Sequence, residues 1–462
     1  MQDKMELEQL KAYYEEHGQG HVFDHIGELA VPARSEFLKQ LRSIDLDKVD
    51  SLVEKYRTRK EETDHELRPA ETVGAPTNDQ ERAERRKARN RGEELLRAGK
   101  VAAFLVAGGQ GTRLGLPGPK GTFPIYPITG KSLFEVFAQK LLNLRARFGK
   151  PVPLYVMTSP ANDEETRAYF MAFNYFGLDK KTVKFIMQGT LPSVDLWGKL
   201  ARDQPGHVFE SPNGHGGAIE AMAKNGMVRE LLDAGYEELF YFQVDNVLAR
   251  ICDPVFVGFH NMREADLSTK VVEKIRPEEK VGVVGYIDGK PGVIEYSELS
   301  QKQLHDRRKD GRLRYNAGNT AIHCFSLRFL DNLISGNSEL PYHFALKKMK
   351  NIDGEEVEVV KFEKFIFDAM KLAGRVMVFE VDRAQEFSPL KNAVGPDSPN
   401  TVKEDLQNLW TGWLEAAGVD VSRTEDGEPR GCIEISPTFA DSELELVDKL
   451  PEGWEFSDGA VL

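Results

Sequence analysis

Along the first hundred residues, apolar side chains recur every three or four positions among charged ones, the spacing that stripes one face of a helix. It predicts helices over Met5–Glu16, Arg34–Leu41 and Leu46–Lys60. A run of turn formers, Thr72–Asp79, precedes a highly charged helix over Gln80–Ala98 that stops at Gly99. From Val101 the pattern changes to short apolar runs separated by helical stretches. VAAFLVA (101–107), PLYVMTS (153–159), VKFIMQ (183–188) and FYFQVD (240–245) read as buried strands, with helices over Leu133–Phe148 and Glu164–Phe176 between them. Continuous apolar strands alternating with helices predict an α/β domain with a mainly parallel sheet. Its sites belong at the carboxyl ends of the strands.

Between Val271 and Phe325 the strand signals crowd together, and Asp288-Gly289 supplies a hairpin turn, so an antiparallel extension is expected there. The last segment is richer in Pro, Gly and short strand signals such as CIEI (432–435), which suggests a small β-containing domain. A chain of 462 residues exceeds what one core usually organises. The expected partition is a helical N-terminal region (1–98), a central α/β domain (99–390) and a small C-terminal domain (391–462).

With 40% apolar and 29% charged residues, the composition is that of an ordinary globular protein. A net charge of -13 argues against an extended nucleic-acid surface, which needs a basic excess, but leaves room for a small anionic ligand where cations are locally concentrated. The basic stretch ERRKARNR (84–91) is interleaved with acids and reads as a solvated helix face. Cys252, Cys324 and Cys432 are scattered, without a CxxC pair or an even count, which suits a reducing compartment. The acidic start MQDKMELEQL does not have the form of a signal peptide. The longest clear apolar run, Val101–Ala107, falls far short of the ~20 residues a membrane helix needs. A cytoplasmic location with no membrane partner is the expectation.

One motif carries chemistry. The strand VAAFLVA runs into GGQGTRLGLPGPKG (108–121) and then a helix near Ser132. Glycine lets the backbone approach a phosphate and lets successive amides point into one concavity. A dinucleotide fingerprint fails because Leu114 stands where the third glycine belongs, and a Walker loop fails because Lys120 lies between Pro119 and Gly121. Arg113 and Lys120 add the cations a triphosphate needs.

AGGQGTRLG (107–115) with PKG (119–121) resembles the signature of nucleotide-sugar pyrophosphorylases. With Gln110 and Arg113 it is most similar to the eukaryotic-type UDP-N-acetylhexosamine members of the UDP-sugar pyrophosphorylase family. The resemblance continues in order through FIMQGTLP (185–192), QVDNVL (243–248), 271–298, NAGN (316–319), KFEKFIFD (361–368) and EFSPLKN (386–392). It implies a mixed, mainly parallel Rossmann-like, GT-A-like nucleotidyltransferase domain. It also implies transfer of a uridylyl group from UTP to a sugar 1-phosphate, with Mg2+ as cofactor.

On the matching positions, the resemblance places Ala107, Gly108, Gly109, Gln110, Lys120, Gln188, Gly214, Asp245 and Lys361 on UTP. It places His215, Gly216, Glu295, Tyr296, Asn319, Phe365, Phe367 and Lys391 on the sugar phosphate. Arg113, Lys120 and Lys391 take catalytic roles, and Asp245 is the Mg2+ ligand. These side chains suit the roles: an amide such as Gln188 can both donate to and accept from a base edge, and Mg2+ commonly takes one or two carboxylates plus phosphate oxygens. No HExxH or paired-histidine spacing points to another metal. No general base is needed, since a sugar phosphate is already ionised near neutral pH.

The sugar is left open. Hexosamine-type relatives have GNGG where this chain has Gly214-His215-Gly216-Gly217, and the GHG resembles the GHGD of glucose-type enzymes. Gly217, Glu295, Asn319 and the SPLKN block side with the hexosamine pattern. N-acetylglucosamine 1-phosphate is the first expectation, with glucose 1-phosphate or a broader range of UDP-sugars as the alternative. A catalytically silent nucleotide-sugar binding protein and a different nucleotide base are the competing classes. The expected assembly is a monomer or weak homo-oligomer.

Overall fold

The computed structural model describes residues 6–59, 65–296, 298–425, 427 and 429–462. They form two compact units, each built from non-contiguous segments. One comprises the N-terminal residues to 64 with Gln188–Ala221 and Glu339–Asp368; the other comprises His65–Met187, Met222–Ser338 and Ala369–Leu462. These units cut across the linear partition at 98 and 390.

The larger unit holds a ten-stranded sheet. Strands Glu238–Gln243, Val101–Val106, Leu154–Thr158 and Val183–Met187 lie side by side and parallel, in that order. Val101–Leu105 is buried at every position, which is why the strand reads as a continuous apolar run. Antiparallel pairing enters through Ala317–Ser326, which joins Glu238–Gln243 to Leu267–Glu273. The expected hairpin turn at Asp288-Gly289 connects Val283–Ile287 to Lys290–Ile294, with both turn residues at positive φ (51° and 80°).

Helix Leu133–Phe148 starts where the Ser132 side chain accepts from the Glu135 N–H, and it ends at left-handed Gly149. Its buried face packs on the sheet, with the Phe137 ring 5.2 Å from Phe242. The helix expected over Glu164–Phe176 ends earlier, at Ala172. Asn174, Tyr175 and Phe176 turn to positive φ, and Phe176 then stacks on Phe173 at 5.7 Å. Aromatic packing overrides the helical period here.

The segment after 391 carries its expected β element as a short parallel pair, Ile433–Glu434 with Ala460–Val461, beside the 18-residue helix Pro399–Ala416. Its Trp410 and Leu414 belong to the same buried cluster as the central strands, and Trp410 meets the Tyr126 ring at 5.1 Å.

In the smaller unit, helices Leu7–Glu16, Val31–Ser43 and Leu46–Thr58 sit close to their sequence expectations. Met5 and Lys60, the ends of two expected helices, lie outside the described residues. Leu10, Tyr14, Phe37, Leu41 and Leu52 share a core with Val360 and Phe362 of the hairpin His343–Lys350/Glu356–Glu363. No helix among the described residues is long and apolar enough to cross a membrane.

Candidate active site

Ala107 makes the last sheet bond, its N–H donating to Met157 at 2.8 Å, and the glycine-rich loop then leaves the strand end. Its carbonyls are turned away and engaged. Asn162 Nδ2 donates to Ala107 O (2.8 Å) and Gly109 O (3.3 Å), and Ser159 Oγ donates to Gly108 O (2.8 Å). The N–H groups of Gly108, Gly109 and Gln110 donate to no described residue. Backbone donors left unpaired at a strand end form an anion cradle. Gln110 does not reach into it: its Nε2 donates to Ala161 O at 2.6 Å. Further along, a Cβ on Gly121 would lie 2.1 Å from the Phe134 ring, so only glycine lets the loop return this closely to the helix.

The predicted charges gather at the same end of the sheet. Lys120 is half-buried, and its Nζ donates to Leu390 O at 3.2 Å. Burial pushes its ammonium below the usual lysine range; nearby Asp245 opposes this, while Lys391 and Arg113 add to it. Three residues far apart in the chain therefore act on Lys120. Asp245 follows strand Glu238–Gln243, and its carbonyl accepts from Leu390 N–H at 2.8 Å. Asn246 brackets the same segment, donating to Glu386 O (2.8 Å) and accepting from Ser388 N–H (3.1 Å). The half-buried Asp245 carboxylate makes no side-chain hydrogen bond to a described residue. A carboxylate that acts on a neighbouring lysine and makes no side-chain hydrogen bond offers the hard oxygen donor that Mg2+ takes.

Glu295 and Asn319 converge on Gly282. Asn319 N–H donates to Gly282 O at 2.9 Å, and a Cβ on Gly282 would meet Glu295 Oε1 at 3.2 Å. A bulge between Asn319 and Ile322, with Ala321 at φ 56°, redirects Asn319, whose Oδ1 accepts from Ala321 N–H at 3.0 Å. Tyr296 is exposed.

The smaller unit holds the other expected residues. Gln188 is buried and adjoins Gly189, whose carbonyl accepts from Asn213 N–H at 3.2 Å. Gly216 N–H donates to Lys364 O at 2.8 Å, which seats the Gly214–Gly217 turn against the KFEKFIFD segment. The His215 ring lies 5.4 Å from Phe365 and 5.7 Å from Phe367, and those two rings stack at 5.1 Å. Burial pulls the His215 imidazole down to about 4; Asp368 opposes this and His343 adds to it. Lys361 is engaged with Glu363.

Several supporting residues carry no recognisable sequence signal. Asn162 and Ser159 set the loop, Asn246 sets the Lys391 segment, and His343 bonds Asp368 at 2.7 Å while lying 4.5 Å from the Phe365 ring. Asn246 stands inside QVDN, but its position there does not say which remote backbone it bonds.

An amide cradle, convergent cations and a lone carboxylate at the carboxyl ends of parallel strands define an α/β protein of the nucleotidyltransferase class. The chain belongs to the UTP–glucose-1-phosphate uridylyltransferase family, whose model matches residues 46–398. It is 33% identical over 461 residues to a probable UDP-N-acetylglucosamine pyrophosphorylase of Dictyostelium discoideum, covering 94% of both chains. It is 40% identical over 348 residues to the UDP-N-acetylglucosamine pyrophosphorylase of Saccharomyces cerevisiae, covering 71% of this chain and 73% of that one. The crystal structure of the uridine diphosphate N-acetylglucosamine pyrophosphorylase of Trypanosoma brucei, in complex with an inhibitor, superposes with a TM-score of 0.82 at 27% identity, covering 96% of this chain and 94% of that one.

Proposed function

We propose that the protein transfers a uridylyl group from UTP to a sugar 1-phosphate, with N-acetylglucosamine 1-phosphate as the preferred acceptor, giving a UDP-sugar and pyrophosphate. The observation that carries this reading is the set of unpaired amides of Gly108, Gly109 and Gln110 beside Lys120, which bonds Leu390 O and feels Asp245, Lys391 and Arg113, while Leu390 N–H bonds Asp245 O. The amides and Lys120 hold the triphosphate, and Gln188 reads the uracil edge. A phosphate oxygen of the acceptor forms a bond to the α-phosphorus as the bond to the bridging oxygen of pyrophosphate breaks. Charge building on the equatorial and leaving oxygens is offset by Arg113, Lys120 and Lys391. Asp245 would hold Mg2+, which when bound supplies further neutralisation of phosphate charge. No proton transfer is required of the protein, so the residues contribute position and charge.

Two observations bear on the sugar. A Cβ at position 217 would lie 2.0 Å from Asn213 Oδ1, so the aspartate of the glucose-type GHGD pattern would require the Asn213 side chain to move. This supports the hexosamine reading, as do the names of the relatives. His215 favours the second reading, glucose 1-phosphate, because it places an imidazole where the hexosamine pattern has an amide. Cytoplasmic residence and a monomeric or weakly associating state complete the proposal.

The test is pyrophosphate release from UTP and Mg2+ with a panel of sugar 1-phosphates, run on wild type and His215→Asn. Turnover with N-acetylglucosamine 1-phosphate above the other sugars is expected. Preferential use of glucose 1-phosphate would overturn the sugar assignment, and release with none of them would overturn the enzyme reading.

A further inference from the structure

At the opposite end of the sheet from the glycine-rich loop, three buried side chains of different ligand type meet. Glu238 opens the strand that leads to Asp245, Cys324 lies on the neighbouring strand Ala317–Ser326, and His260 comes from helix Pro254–Met262 above them. Cys324 pairs with Phe240 and Ser268, and Glu238 pairs with Ser326, so alternation puts Glu238, Cys324 and Ser268 on one face of the sheet. His260 packs down on that face. Glu238, His260 and Cys324 are 4%, 1% and 0% exposed.

Their ligand atoms lie within 4.8 Å of one another. Glu238 Oε2 and His260 Nε2 face each other at 3.1 Å, yet neither makes a hydrogen bond of acceptable geometry among the described residues. Two buried polar atoms that meet without an aligned hydrogen bond are costly unless something satisfies both. The remaining atoms of both groups are tied down: His260 Nδ1 bonds Ser268 Oγ at 2.7 Å, and Glu238 Oε1 accepts from Asn261 Nδ2 at 2.8 Å. This pattern, one atom of each ligand pointing inward and the other held by an outer partner, is how proteins orient metal ligands.

We propose that Glu238, His260 and Cys324 bind one zinc ion. Imidazole, thiolate and carboxylate together select zinc over magnesium or calcium. Metal–ligand bonds of about 2.0–2.3 Å at tetrahedral angles place ligand atoms roughly 3.4–3.6 Å apart, so a small adjustment of the present spacing completes the site. Glu238 and His260 also line a cleft of about 640 Å³ together with Lys100, Tyr236 and Arg375. That cleft supplies an entry path. The ion would clamp two strands and a helix roughly 20 Å along the strand from Asp245, separate from the Mg2+ requirement of transfer.

The experiment uses the full chain, treated with chelator, dialysed, then loaded with zinc or cobalt. Expected are one tightly held zinc per chain by elemental analysis, a rise in Tm on zinc addition, and a cobalt form with intense visible bands and a near-ultraviolet thiolate-to-cobalt band. Cys324→Ser abolishes the thiolate band, and His260→Gln lowers zinc affinity at least tenfold, while far-ultraviolet circular dichroism of Cys324→Ser stays native. No stoichiometric zinc in the wild type overturns the site and leaves a buried histidine–glutamate pair. A thiolate band that persists in Cys324→Ser also overturns it and moves the metal to another cysteine. If the variants fail to fold, the wild-type stoichiometry and cobalt spectrum still decide.

Discussion

The backbone N–H of Ile366 donates to Nδ1 of His215 across 3.3 Å, and this bond selects the imidazole tautomer that carries its proton on Nε2. His215 therefore presents a donor, held beside the rings of Phe365 and Phe367, and burial keeps it neutral down to about pH 4. The unfolded chain protonates the same group near 6.5. Between those values the unfolded state binds the extra proton, so stability is full above about pH 6.5 and falls as pH drops towards 4. The partial exposure of His215 discounts the effect to on the order of 2 kcal/mol. Urea denaturation at pH 7 and pH 4.5 should show this loss in wild type and a smaller one in His215→Asn. Equal losses would mean the imidazole titrates freely.

Lys120→Ala and Asp245→Ala should each lower turnover by about 100-fold or more, the scale of removing one preorganised charge contact to a reacting phosphate. Neither change opens a large apolar cavity, so Tm should move by only a few degrees. Asp245→Asn, keeping shape but losing charge, should raise the Mg2+ concentration needed for half-maximal rate. Pyrophosphate release across a Mg2+ titration measures both. Near-normal turnover in Lys120→Ala would remove that lysine from the triphosphate.

Gly217→Asp is expected to impair the sugar pocket, because the new Cβ would sit 2.0 Å from Asn213 Oδ1 and the Asn213 side chain also donates to Glu220 at 2.9 Å. The disruption should appear as a raised KM for the sugar phosphate. Asn213→Gly, which empties the space, should restore part of the loss in the double variant. A double variant no better than Gly217→Asp would place the defect elsewhere.

Much of this was legible in the chain because it depends on local order. Continuous apolar runs marked the strands, Ser132 and Gly149 bounded a helix, and Asp288-Gly289 marked its hairpin. The charges at 113, 120, 245 and 391 stood in motifs whose order implied a shared site, and Lys120 is influenced by the other three. What was not legible depends on distant pairing. Leu10 and Tyr14 share a core with Val360 and Phe362, more than 300 positions away, and no local period announces it. Asn162, Ser159 and Asn246 were missed because a polar side chain that bonds a remote carbonyl leaves no spacing pattern. The bulge at Asn319 was hidden because it changes register within an otherwise regular strand.

A last expectation concerns a buried charge outside the transfer site. Lys270 is fully buried, its Nζ 3.2 Å from Asp253 Oδ2 and bonded also to Glu386, with the Phe256 ring 5.3 Å away. Burial alone would raise the Asp253 carboxyl, but Lys270 and Arg250 outweigh it and hold the group below the usual carboxylate range. Lys270→Met preserves most of the volume and removes the cation, leaving Asp253 and Glu386 in the core without that partner. Breaking such a group from one side costs about 3–5 kcal/mol, far more than the intact cluster contributes relative to an apolar replacement. The penalty should depend on pH in a defined direction. Near pH 7 the buried Asp253 carboxylate is charged and the variant suffers most; near pH 4.5, with Lys270 gone, burial favours protonating Asp253, so the gap to wild type should narrow. Urea midpoints of the two proteins at both pH values measure this. A gap that stays constant would mean the loss arises from packing and not from stranded charge.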